Sequence, residues 1–245
     1  MPAIDLVVFD IAGTIIQDTG QVINAFTAAF CKHSIQVTEA EVRTLHGASK
    51  REVFKRYIER QFGPEHPENT ARIDRAYSDF RDILETTYGT EGVQAIPGVE
   101  STFRWLRDHG IKIALNSGFY RKVAEIILRS VGWYEGVVDV LICGDEVPRG
   151  RPAPFMIFRA MEATGVTDVR RVMVVGDTPL DLLAGTNAGV RGVVGVLSGS
   201  HGIERLGRVE HTHIISSVAE LPALLEKAFP RSGSPRGRGS TPPLR

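Results

Sequence analysis

The stretch Val7–Asp18, VVFDIAGTIIQD, decides the fold. An apolar, β-branched run without polar alternation reads as a strand covered on both faces. It ends on Asp10, and Ala12, Gly13 and Thr14 follow. A carboxylate at the tip of a buried strand, just before a tight glycine turn, is well placed to act as a nucleophile. An enzyme that attacks with one carboxylate usually needs a second acid to move protons. The residue two places on, whose side chain would point into the same cavity, is Ala12, which neither donates nor accepts. That raises the question of what reaction can do without a second acid at this position.

Outward from this strand, similar runs recur at 4–10, 111–117, 137–143, 170–177 and 190–197, with a weaker one at 211–216. Between them lie VESTFRWLRDHG, YRKVAEIILRSVG, PAPFMIFRAMEATG, PLDLLAGTNAG and SVAELPALLEKAF, each with apolar residues at helical spacing. Strands alternating with amphipathic helices predict an open, doubly wound α/β sheet that binds its ligands at the carboxyl ends of the strands. From about Gly20 to Tyr88 the rhythm breaks and every pattern is helical. The expected organisation is an α/β core domain over 1–19 and 92–229, an inserted helical cap domain over 20–91, and a disordered tail over 230–245.

The 245 residues contain 42% hydrophobic and 24% charged residues, the balance of an ordinary globular protein. Lys plus Arg (29) cancel Asp plus Glu (29), so no overall field favours nucleic acid or an anionic membrane. The N-terminus has no signal-peptide pattern, and no apolar run approaches the roughly 20 residues that span a bilayer. The expectation is a cytoplasmic protein whose two cysteines, Cys31 and Cys143, are free thiols.

Two further acids stand at a strand tip, in VVGDTPLDLLAG: Asp177, and Asp181 on the first turn of the next helix. They are ordinary helix-capping residues taken singly. Three acids converging from two strand tips instead ask for a hard divalent cation, Mg²⁺ above all. ALNSGF places the Ser117 hydroxyl and the Gly118 amide where they could bind anionic oxygens at a helix N-terminus. PRGRPAPFMIF supplies Arg149 and Arg151, either of which could hold a phosphoryl group and offset Asp10.

As an ordered set, DIAGT (10–14), Ser117, the basic residue near Arg151 and GDTPLD (176–181) resemble the haloacid dehalogenase superfamily of hydrolases. The resemblance covers the chain except its tail. It implies a Rossmann-like core with a helical cap, and an aspartyl-phosphate formed on Asp10. It also implies Mg²⁺ held by Asp10, Asp177 and the backbone carbonyl of Ala12. Ala12 can thus serve the metal without a side chain, but the proton-transferring acid that phosphatases of the superfamily carry at this position is missing.

The inserted segment offers a way round. In LHGASKREVF (45–54), Ser49 reads as an N-cap and Lys50 falls in the first helical turn. The positive end of the helix dipole lowers the basicity of such an amine, as a Schiff-base nucleophile requires. FDIAGT with HGASK and GRPAPFM resembles the phosphonoacetaldehyde hydrolase branch of the superfamily. That resemblance implies Lys50 condensing with a substrate aldehyde, so that carbon leaves phosphorus as an enamine and needs no acid at position 12. It implies Asp10 as nucleophile, Ser117 and Gly118 on the phosphoryl group, Arg151 as the basic stabiliser, Asp181 behind the site, and a homodimer. This branch usually has Met before the cap glycine and His three residues after the lysine. Here those positions hold His46, a possible substitute, and Val53. The expected substrate is a small phosphonate; the alternatives are a phosphate monoester, as in a phosphoglycolate phosphatase, or a catalytically weak binding fold.

Overall fold

A computed structural model describes residues 4–43 and 49–230. His46 and the tail from 231 onward lie outside these described residues. Six parallel strands form one sheet: β1 (Leu6–Phe9), β2 (Lys112–Ser117), β3 (Val140–Cys143), β4 (Val172–Gly176), β5 (Gly192–Val196) and β6 (His213–Ile215), in the order β3-β2-β1-β4-β5-β6. The chain winds from β1 outward to β3, then crosses back to β4 and winds the other way. The reversal falls between β1 and β4, where such sheets open a crevice beyond their carboxyl ends.

The unbroken apolar runs are explained by two helical layers. Leu6 and Val8 face a cluster formed with Met156, Ile157 and Ala160 of α7 (Phe155–Thr164) and Ala184 and Ala188 of α8 (Pro179–Ala188). Val7 and Phe9, one residue out of phase, face α5 (Val99–Asp108), α6 (Arg121–Ser130) and α10 (Leu221–Ala228). α9 (Ile203–Leu206) closes the edge through Leu206. A strand apolar at every position thus has no solvent face to display.

Among the described residues, four helices precede α5 between β1 and β2: α1 (Gln21–Lys32), α2 (Glu39–Arg43), α3 (Lys50–Phe62) and α4 (Asn69–Glu91). Aromatic rings hold α1, α3 and α4 together, with Phe26 and Phe80 centroids 4.5 Å apart, Phe30 and Phe54 5.1 Å apart, and Phe54 and Phe80 5.6 Å apart. Each buried ring contributes roughly 1.5–3 kcal/mol by leaving water. This cluster is continuous with the apolar layer over α5 and α6, so the insert is packed down onto the strand tips. No helix among the described residues is long and apolar enough to cross a membrane. Cys31 is exposed and Cys143 buried, and both are free.

Candidate active site

The register of the sheet brings the acids together. Phe9 pairs with Val175 of β4, and the Asp10 amide continues the ladder to the Val175 carbonyl at 2.9 Å. Asp10 and Asp177 therefore leave adjacent strand tips side by side at the switch in strand order. Asp10, Asp177 and Asp181 are all buried, and each offers an oxygen within 4.8 Å of the others.

Arg151 sits inside this cluster. It is 7% exposed; its Nη2 donates to Asp10 Oδ1 at 2.6 Å and its Nη1 donates to Asp181 Oδ1. Burial works against its charge, but Asp181 and Asp10 more than offset that and strengthen its hold on the proton. Arg149, which the sequence offered equally, is exposed. It lines a wider cleft between α3 and the loop 144–153.

Asp181 caps α8, as one of its two sequence readings expects. It completes a capping box at the start of α8, accepting from the Thr178 amide at 3.0 Å and the Thr178 hydroxyl at 2.6 Å, while also bonding Arg151. With three donors already on it, Asp181 is the least available of the three acids to a cation. Asp177 accepts from the Ser200 amide at 2.7 Å and the Thr14 hydroxyl at 3.3 Å. Gly13 turns beside it at φ +87°, where a Cβ would stand 2.6 Å from Asp177 Oδ2. That close approach is why the turn after Asp10 carries glycine.

Burial, with repulsion from Asp181, pushes Asp10 up to about 6 despite Arg151. Burial and the charges of Asp10 and Asp181 push Asp177 up to about 7. Two buried acids held so far above the carboxylate range lack positive charge. A hard cation with oxygen ligands fits this donor set. Ala12 lines the same pocket, and no described residue donates to its carbonyl oxygen. The site can therefore hold a metal ion.

The pocket beyond Asp10 is small and is bounded by Ala12, Asp18, Lys50, Ser117, Gly118 and Phe119, among others. Lys50 is 5% exposed, and its Nζ lies 5.4 Å from the Phe119 ring centroid and 6.0 Å from that of Phe26. No carboxylate among the described residues forms an ion pair with it. Its pKa falls from 10.5 to about 8, first through burial and then through Arg151, with Asp10 and Asp18 pulling the other way. The sequence traces this lowering to the helix dipole; in the structure Lys50 does open α3, but loss of solvent is the main cause. Ser49 occupies the cap position without a side-chain cap bond.

Ser117 and Gly118 both reach the pocket, but not from a helix terminus, because α6 begins only at Arg121. The Ser117 hydroxyl accepts from the Phe119 amide at 3.1 Å, so the β2 tip makes its own turn. Val53 is buried and borders the wider cleft, not the inner pocket. Sequence reasoning missed Asp18, Thr14, Phe119, Thr178 and Ser200. Asp18 was legible only as the acid closing the first stretch, eight residues after Asp10.

The model of the haloacid dehalogenase-like hydrolases matches residues 4–189. The chain belongs to this family. Within it, the chain is 30% identical to a phosphonoacetaldehyde hydrolase from Parabacteroides distasonis, over 93% of this chain and 97% of that one. It is 33% identical to a phosphonoacetaldehyde hydrolase from Bacillus cereus, over 80% of this chain and 77% of that one. The crystal structure of a phosphonoacetaldehyde hydrolase-like protein from Oleispira antarctica superposes with a TM-score of 0.80 at 23% identity, covering 96% of each chain. In this chain the three acids and Arg151 meet at the β1 and β4 tips, and Lys50 borders the pocket beyond Asp10.

Proposed function

We propose that this hydrolase cleaves the carbon–phosphorus bond of a small phosphonate carrying a carbonyl group, such as phosphonoacetaldehyde. The observation that carries the reading is Lys50: a buried amine of lowered basicity opening onto the same pocket as Asp10, while Ala12 leaves that pocket without the usual acid.

The neutral Lys50 amine adds to the substrate carbonyl, and loss of water leaves a protonated imine. An Asp10 oxygen then bonds to phosphorus as the carbon–phosphorus bond breaks, and the electron pair of that bond flows into the iminium to give an enamine. The leaving atom is carbon, so no oxygen has to be protonated as it departs. Water releases phosphate from Asp10; protonation of the enamine carbon and hydrolysis of the imine free Lys50. Arg151 fixes the attacking carboxylate and faces the phosphoryl oxygens, with Ser117 and Gly118 beside it. Mg²⁺, held by Asp10, Asp177 and the Ala12 carbonyl, would neutralise phosphoryl charge as it develops. Asp181 positions Arg151.

A second reading, hydrolysis of a phosphate monoester, draws on Asp18, a second carboxylate lining the pocket that Asp10 opens onto. Borohydride reduction in the presence of phosphonoacetaldehyde and Mg²⁺, followed by mass spectrometry of the peptide bearing Lys50, separates the two. The expected result is a substrate-derived adduct on Lys50. Phosphate release from alkyl phosphates without any adduct would reject the Schiff base and favour the second reading.

A further inference from the structure

Asn116, next to last in β2, is 1% exposed, and neither its Oδ1 nor its Nδ2 has a hydrogen-bond partner among the described residues. An amide withdrawn from water with both ends unpaired is a standing cost, and leucine would fill much the same volume without it. Its place in the sheet explains what the amide is for. Phe9 pairs with Leu115, so Asn116 stands beside Asp10 across the β1–β2 ladder. Side chains alternate along a strand, and Ala114 shares its apolar cluster with Val8, so Asn116 and Asp10 project to that same face. Gly176 continues the row on β4, and the Asp181 side chain occupies the space where its Cβ would stand. Arg151, bound to both Asp10 and Asp181, therefore covers this face. Its Nη2 reaches the Asn116 backbone carbonyl at 3.5 Å, and its buried Nε–H has no acceptor. An unpaired acceptor and an unpaired donor thus share one buried layer beside Asp10.

At rest the guanidinium is held by two carboxylates. When Asp10 bonds to phosphorus its charge passes to the phosphoryl oxygens, and one of those two holds weakens while Arg151 must stay aimed at the phosphoryl group. We propose that Asn116 is the positioning residue that keeps Arg151 in place at that stage, its amide oxygen accepting the Nε–H once Asp10 is phosphorylated. The amide breaks no other hydrogen bond in doing so. This rests on Asp10 attacking phosphorus, which both substrate readings share, and not on the Schiff base.

The test compares two ligands, each with Mg²⁺ present. Trifluoroberyllate, BeF₃⁻, bonds to a carboxylate oxygen and mimics a phosphorylated aspartate, whereas inorganic phosphate leaves the Asp10 carboxylate charged. Titration calorimetry measures both on the wild type, Asn116→Leu and Asn116→Thr. Asn116→Leu should bind BeF₃⁻ at least about tenfold more weakly than the wild type, the size of a hydrogen bond to a charged group, and phosphate within about twofold. Asn116→Thr, which returns an acceptor to this position, should recover most of the BeF₃⁻ affinity. Asn116→Leu should also melt higher than the wild type, because the unpaired amide is gone; a purely structural amide would weaken both ligands alike or neither. Unchanged BeF₃⁻ affinity in Asn116→Leu, an equal loss for both ligands, or no recovery in Asn116→Thr would overturn the proposal and leave Asp10 standing as the nucleophile. A wild type that binds phosphate but not BeF₃⁻ would overturn the Asp10 reading and this proposal with it.

Discussion

Replacing Lys50 with methionine should stabilise the protein while abolishing its action on a carbonyl phosphonate. The amine is buried over two rings, and burial lowers its pKa from 10.5 to about 8. At neutral pH it is charged in both folded and unfolded chains, so the folded state carries the penalty of the whole shift. At 1.36 kcal/mol per unit this comes to about 3 kcal/mol. Methionine keeps the length and the contacts with Phe26 and Phe119 but not the charge. Lys50→Met should therefore raise the unfolding free energy at pH 7 by about 3 kcal/mol, roughly 6–12 °C in melting temperature for a chain of this size. The effect has a definite pH signature. Between about 8 and 10.5 the unfolded chain holds a proton that the folded one has released, so wild-type stability climbs with pH there and the gap between the two proteins closes. Urea titrations of both proteins, free of metal, from pH 6.5 to 10 would measure it. A variant no more stable than the wild type at pH 7, or a gap constant across that range, would refute the reasoning.

Two other changes probe the opposite side of the pocket. Ala12→Asp restores an acid beside Asp10; it should raise turnover of an alkyl phosphate by at least about tenfold and suppress borohydride trapping on Lys50, both read in one set of assays. Gly13→Ala forces a Cβ to within 2.6 Å of Asp177 Oδ2 at a backbone φ of +87°. Calorimetric titration with Mg²⁺ should show affinity falling at least about tenfold, together with a stability loss of about 1–3 kcal/mol in urea.

The sheet was legible because a parallel strand covered on both faces has to be apolar throughout; the five runs that meet this requirement became β1–β5, and the weaker run at 211–216 became the edge strand β6. Asp10 and Asp177 were legible for the same reason: a carboxylate ending such a run has nowhere to go but the crevice. The local residues alone offered Arg149 and Arg151 equally, since both flank the same glycine, and the family resemblance singled out Arg151; it is Arg151 that ion-pairs with Asp10 and Asp181. The basicity of Lys50 was read in the right direction for an incomplete reason, because burial depends on Phe26 and Phe119, which are far apart in the chain.

Ala12 and Lys50 also make sense only as a pair. A carboxylate about 6 Å from an amine, at an effective dielectric near 20, stabilises the ammonium by about 3 kcal/mol, or about two pKa units. Placed at position 12, in the pocket that Lys50 shares, such a charge would cancel nearly all of the lowering that burial achieves and keep the amine protonated near neutral pH. The acid that serves a phosphatase would therefore disable an amine nucleophile. On the proposed Schiff-base reading, alanine at this position is what the lysine chemistry asks for. The same electrostatics explain why Asp18 is tolerated. It pulls Lys50 upward less than Asp10 does, and both are outweighed by burial and Arg151, leaving the amine at about 8, where a fraction is neutral, as the proposed attack on a carbonyl requires.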